Sequence, residues 1–457
     1  MPLIYLPHMR KLAGLSAIAI AASLISPMQS FAASPKAGAA CTKAGSTSMA
    51  ANKKFTCVKS GKKLVWDKGT TVSKAASTTA PVASAPATPT PTPTPTQSTM
   101  PSVSGVEGLP ISLPVAQNGA ITFANAAANF ASIPKSAWQR TQDAIAANPE
   151  VNVPTTIHIG PNTKASLNAI NTALGRINKL FAGFRHVSNY TGIVYNARDL
   201  QWAQGDAFDL FSKTGSKSFS TRQDQIKRIT EAGCEMNGAT PVNCGAGMAI
   251  TFSDVREEMG GAYYGVQSDG DYWSDSTKNQ GPMTQVNHEA MHTYQAIQFI
   301  NTPYGKNQYV TPDLVHTTAP WWYSEGQANG IGLTTFLENF SDYSRVRNDT
   351  VTRSPGSRAT VPSFTVDSMK TFLTETQAAS PENKNWMLAY SVGFATLEAL
   401  IAIGGPQATL AIYTLTAKGE DFPTAFKHVY GISWDEGSTI LAQVLAAEYA
   451  ALPMSTR

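Results

Sequence analysis

Apolar residues first gather at Leu12 to Ile25, behind Arg10 and Lys11 and ahead of Ser30-Phe31-Ala32-Ala33-Ser34. A basic pair, an apolar run and small residues near a cut site predict a secretory leader over residues 1–33, with Met9 as a second candidate start. The run is shorter than the ~20 residues a membrane span needs. A lipoprotein reading through Cys41 is weaker, because Gly38-Ala39-Ala40 lacks the expected apolar residue. Alternating β-formers follow at Phe55-Thr56-Cys57-Val58-Lys59 and Lys63-Leu64-Val65-Trp66, around Ser60-Gly61-Lys62. They predict a hairpin in a small two-cysteine module over residues 34–68. From Gly69 to about Ser104 the chain is mostly Ala, Ser, Thr and Pro, with Pro89-Thr90 repeating through Pro95-Thr96. Such a stretch buries no core and predicts a semi-rigid linker over residues 69–105.

Residues 106–457 carry the periodic patterns of a large domain. Thr155–Ile159, Thr191–Tyr195, Gly247–Phe252 and Ala262–Val266 read as strands, and Thr163–Phe181 as an amphipathic helix. After residue 280 the β signal fades. Met283–Ile300, Trp321–Phe340, Lys384–Ile403, Ala408–Lys418 and Trp434–Ala451 read as helices. A small sheet followed by a mainly helical C-terminal part predicts an α+β domain.

Composition narrows the class. The length of 457 residues suggests two or three folding units. Charged residues are 14%, against roughly 25% for an ordinary soluble protein. The net charge is +4 with no basic block, which argues against a nucleic-acid partner held by phosphate contacts. A mean hydropathy of −0.16 excludes a multi-span membrane protein. Four cysteines suit two local staples in an exported chain. Cys41 with Cys57 would staple the small module. Cys234 with Cys244 would close a Gly/Pro/Asn-rich loop, a metal pair being the alternative there.

The segment that carries chemistry is Val286-Asn287-His288-Glu289-Ala290-Met291-His292-Thr293. On a helix, positions i and i+4 share a face, so two imidazoles would project toward one metal. Glu289 would stand at the open position and take a proton from a bound water, whose pKa a zinc ion lowers from 15.7 toward ~7. A random shuffle of this composition yields the pattern below roughly 0.01 times per chain. The plain alternative is a surface helix with two solvated histidines. A catalytic zinc usually takes a third protein ligand. Gln295 and Gln298 stand where the metzincin branch would need glycine and histidine, so that branch is excluded. Downstream, Ala319-Pro320-Trp321-Trp322-Tyr323-Ser324-Glu325 offers Glu325, an acid in an apolar, aromatic helix start where an unpaired carboxylate is costly to bury. His316 and Asp313, in a loop-like Thr/Pro stretch, are rival third ligands.

His288-Glu289-x-x-His292 followed by Trp322-Tyr323-Ser324-Glu325-Gly326-x-Ala328 resembles the gluzincin metallopeptidases, specifically the peptidase MA-like group. Ala389-Tyr390-Ser391-Val392-Gly393-Phe394-Ala395-Thr396-Leu397, Gly404-Gly405, Ala425-Phe426 and Tyr430-Gly431 are similar to that group's helical C-terminal part. The resemblance covers roughly residues 240–450. It implies that His288, His292 and Glu325 hold zinc, that Glu289 is the general base, and that the chain hydrolyses peptide bonds. It also implies a Tyr or His donor to the developing oxyanion. Tyr390 is the best candidate, beside small Gly393, with His428 or Tyr430 next. The spacing from His292 to Glu325 is longer than in thermolysin-like enzymes and zinc aminopeptidases. Gly245-Ala246-Gly247-Met248-Ala249 does not match the aminopeptidase signature, which leans away from an exopeptidase.

The expectation is a secreted zinc peptidase acting on a peptide or protein substrate, with no nucleic-acid partner. The strand near Gly247–Phe252 or the one at Ala262–Val266 would receive extended substrate. Two alternatives stay open: a catalytically silent surface-binding protein with a structural metal, and a zinc hydrolase of non-peptide bonds. The small module is either a plain spacer or a contact to the cell wall or surface.

Overall fold

A computed structural model describes residues 37–40, 44, 47–50, 53–71, 109–207, 226, 229, 235–237, 240–242, 248–254, 259–266, 280–300, 302, 312–352, 364–375 and 386–452. The leader, most of the linker, Cys41, Cys234 and Cys244 lie outside them. The chain divides into two units, residues 1–96 and 97–457.

The first unit holds an antiparallel sheet of β1 (Thr47–Ala50), β2 (Lys53–Ser60), β3 (Lys63–Trp66) and β4 (Thr70–Thr71), with β2 central. The expected hairpin is β2–β3, closed by Gly61 at φ +60° in the left-handed region that glycine tolerates. Two further strands complete the sheet beyond that hairpin. Phe55 and Cys57 alternate inward and are buried, and Cys57 is not a free thiol.

The second unit is α+β. Its main sheet has the order β5 (Thr155–Ile159), β6 (Asn189–Asn196), β10 (Met259–Val266), β9 (Met248–Asp254). The first three are parallel and β9 runs antiparallel at the edge. A separate hairpin, β7 (Glu235–Asn237) with β8 (Thr240–Val242), lies between the positions of Cys234 and Cys244. Helix α1 (Ile133–Ala147) precedes the sheet, and α2 (Leu167–Leu180) crosses from β5 to β6, so one βαβ connection occurs without repeating. Tyr190, Val194, Ala262 and Tyr264 face the main core, while Ile193, Tyr195 and Tyr263 face a smaller cluster with Ala203 and Ile229. Period-two alternation thus buries both faces of the sheet.

Helices follow: α3 (Gln280–Ile297), α4 (Pro312–Thr318), α5 (Trp321–Phe336), α6 (Phe340–Thr352), α7 (Val366–Glu375), α8 (Val392–Gly404), α9 (Pro406–Ala417), α10 (Phe422–Tyr430) and α11 (Trp434–Ala451). Three expectations need correction. The apolar stretch to Phe340 is two helices, because the chain turns out at Leu337 (φ −88°, ψ 103°) before Asn339 accepts from the backbone of Asp342. The stretch at His316 and Asp313 is the short helix α4, not a loop. Tyr390 ends a 3-10 turn, Trp386–Tyr390, that precedes α8, and so is not inside that helix. Among the described residues no single helix is long and apolar enough to cross a membrane.

Candidate metal centre

From Val286 to its end helix α3 is buried yet polar, with Asn287, His288, Glu289, His292, Thr293 and Gln295 all buried. Buried polar groups must find partners. Here α5 supplies many of them: Asn287 Nδ2 donates to Thr335 Oγ1 at 2.8 Å, and Gln295 Nε2 donates to the Ser324 carbonyl at 3.0 Å. The helices approach closely because Gly332 presents no side chain; a Cβ there would lie 3.0 Å from the His288 nitrogen.

Glu325 is fixed by the residues just before it. Pro320 caps α5, one position ahead of the first helical residue. Trp322 Nε1 donates to the Leu373 carbonyl at 3.0 Å and Tyr323 OH to the Thr409 carbonyl at 2.8 Å, tying the start of α5 to α7 and α9. Behind it, Gly326 abuts Gly393, where a Cβ would fall 2.4 Å from backbone. The space expected beside Gly393 is therefore filled by α5, against Gly326 and the Trp322 backbone.

The result is a convergence of donor atoms. His288 Nε2 and His292 Nε2 stand 3.2 Å apart, and Glu325 Oε2 lies 3.4 and 3.5 Å from them. Ligands of a tetrahedral ion at ~2.0–2.2 Å stand roughly 3.3–3.5 Å from one another, so the three atoms already have the spacing of one coordination sphere. Glu325 Oε2 is buried without a hydrogen-bond donor, a costly state that a cation relieves.

The imidazole tautomers agree with this. His288 Nδ1 donates to Asn329 Oδ1 at 2.8 Å, and His292 Nδ1 donates to Gln295 Oε1 at 2.9 Å. Each amide is oriented by its own NH2 group, Asn329 giving to the Tyr390 carbonyl and Gln295 to the Ser324 carbonyl and Gln327 Oε1. Both amide oxygens therefore face the imidazoles, both Nδ1 atoms carry protons, and the Nε2 lone pairs are left for a metal. Without one, burial disfavours the His292 cation, but Glu325 outweighs it and raises the imidazole pKa to about 9. For Glu325, burial pushes upward, yet the two histidines hold the carboxyl well below its usual range.

Glu289 is buried beside this group, its Oε1 3.8 Å from His288 Nε2, and is not one of the three converging ligands. The Tyr390 ring lies parallel to that of His288, 17° apart with centroids 6.4 Å distant. Burial raises its pKa, as do the charges of Glu325 and Glu289 and a hydrogen bond to Glu325. His428 pairs with Glu420, and Tyr430 packs on Phe123 and Phe426, away from these contacts. Of the rival ligands, His316 is outside the converging group and sets its ring edge-to-face on Trp321 at 4.3 Å. The Asp313 side chain is outside the described residues. Asn329 and Gln295 are absent from the expected site, although helical spacing from Glu325 (i+4) and His292 (i+3) places each on a ligand's face. The chain matches no protein-family model, no curated protein and no solved structure.

Proposed function

We propose that this chain is an exported zinc-dependent peptidase. The observation that carries the reading is the set of three buried donor atoms with a second acid, Glu289, beside but outside it. A site meant only to hold a metal has no use for that acid. Two imidazoles and one carboxylate suit zinc, whereas calcium and magnesium prefer all-oxygen shells. The resemblance to the gluzincins supports the same assignment.

When bound, zinc would supply Lewis acidity that brings a coordinated water near ionisation at neutral pH. His288, His292 and Glu325 would hold it. Glu289 takes the water's proton as it attacks the peptide carbonyl and can return that proton to the leaving amine. Tyr390 OH donates to the carbonyl oxygen as negative charge grows there. Of the two candidate strands, β10 is paired on both sides, by β6 and β9. β9 lies at one edge of this sheet, as β5 does at the other, so of the two candidates it is the one that can accept an extended peptide by adding a strand. The leader at 1–33 and disulfides Cys41–Cys57 and Cys234–Cys244 belong to the same proposal.

The test is digestion of a denatured protein mixture by purified protein, with and without a chelator, beside Glu289→Gln. The native chain should carry about one zinc and cleave peptides until chelated. Glu289→Gln should keep the zinc and lose on the order of 10²–10⁴-fold in rate. Cleavage of esters but not peptides would move the reading to a non-peptide hydrolase. Equal turnover by native chain and variant would discard the mechanism.

A further inference from the structure

The formal charge of +4 hides a division. Residues 1–96 contain 11 basic residues and one acid, Asp67, whereas residues 97–457 contain 24 basic and 30 acidic residues. The first unit thus carries +10, or +8 once Arg10 and Lys11 leave with the proposed leader, and the second −6. Eight of the basic residues are lysines within residues 34–71. Along the chain they form no run longer than the pairs Lys53-Lys54 and Lys62-Lys63. Three of them stand within five residues at the hairpin tip: Lys59 opposite Leu64, Lys63 opposite Ser60, and Lys62 in the two-residue turn between. These three at the hairpin tip are exposed, as are Lys53 and Lys68. Asp67 offsets only one of these charges, and its carboxylate accepts from the Thr56 and Gly69 backbone at 3.0 and 2.9 Å.

Like charges gathered on one small sheet repel one another, and a polyanion removes that repulsion. We propose that the β2–β3 hairpin tip is a docking surface for a polyanionic glycan, a linear polysaccharide bearing acidic groups. The chemistry of the surface selects this partner. No arginine occurs in residues 34–71, so the surface offers point charges and no planar fork for bidentate contacts. Phe55 is buried and Trp66 half-buried, so neither offers an open ring face on which bases could stack. Among the described residues of the module the one exposed large apolar side chain is Val58, too little to enter a bilayer. What remains is a set of flexible point charges, suited to an extended acidic chain. The Pro/Thr linker then tethers the acidic large unit, which such a glycan would otherwise repel.

The test compares binding of the full chain to alginate, to duplex DNA and to vesicles of phosphatidylcholine and phosphatidylglycerol in equal parts, across a salt series. Alginate should bind best, and more weakly as salt rises. The K59Q/K62Q/K63Q chain should lose at least about tenfold in affinity and roughly two to three units of the log–log salt slope. The K59R/K62R/K63R chain keeps the charge and should stay within about twofold. Tighter binding to DNA or vesicles, unchanged binding by the glutamine chain, or no binding to alginate each overturns the proposal. Hydrolysis is not read, so the result is independent of the zinc reading.

Discussion

Glu325 shows what makes a single residue a candidate ligand here: burial, a fixed backbone and an oxygen left without a hydrogen-bond donor. The pattern His288-Glu289-x-x-His292 was legible because i and i+4 share a helix face whatever the helix packs against. Asn329 and Gln295 were not, since amides gain meaning only once an imidazole Nδ1 is found against them. Tyr390 belongs to the same scale. Tyr390→Phe keeps the ring against His288 and removes the hydroxyl, so kcat should fall by about 10²–10³, matching ~3–4 kcal/mol from a lost oxyanion donor. Zinc content and Tm should stay near those of the native chain. Unchanged kcat would return Tyr390 to a packing role.

At the scale of elements, the site depends on how closely α5 can approach its neighbours. Gly332 admits the backbone of α3 and Gly326 admits that of α8 at Gly393. A side chain at 326 would meet backbone, which cannot rotate away. Gly326→Ala should destabilise the protein by about 1–3 kcal/mol, the usual cost of overpacking, and weaken zinc retention because Glu325 is adjacent. Thermal unfolding and chelator competition would measure both, and a native-like Tm would show that the helices can part freely. Apolar periodicity revealed α2, α3, α5, α8, α9 and α11 but not α1, α4, α6, α7 or α10, and it did not fix boundaries. The division between α5 and α6 and the 3-10 turn at Tyr390 depend on local backbone geometry that apolar spacing does not encode.

Across the whole molecule, the helical part is tied by a buried ion cluster. Arg347 of α6 hydrogen-bonds Glu398 of α8, at 2.7 Å from Nη2, and Glu448 of α11, while Tyr343 donates to Glu398. Removing the cation would strand two buried carboxylates, so Arg347→Met should cost about 3–5 kcal/mol. Adding Glu398→Leu and Glu448→Leu should restore much of that loss, and a triple variant as unstable as the single one would refute the pairing argument. Mass mapping without reductant should find Cys41–Cys57 and Cys234–Cys244. Free thiols at all four positions would remove both staples and weaken the case for export.

The sequence by itself determined the α+β class, the helix that carries both histidines, and Glu325 as the favoured third ligand. These follow from short-range spacing and from the cost of burying a lone carboxylate. It left His316 and Asp313 open as rivals and did not say which strand is free to pair. Only the tertiary structure put Glu325 Oε2 within 3.5 Å of both imidazoles and His316 on Trp321. It alone gave β10 a neighbour on each side and left β9 at the edge. The reason is physical: ligand geometry and strand order depend on distances between residues far apart in the chain, and those are set by packing.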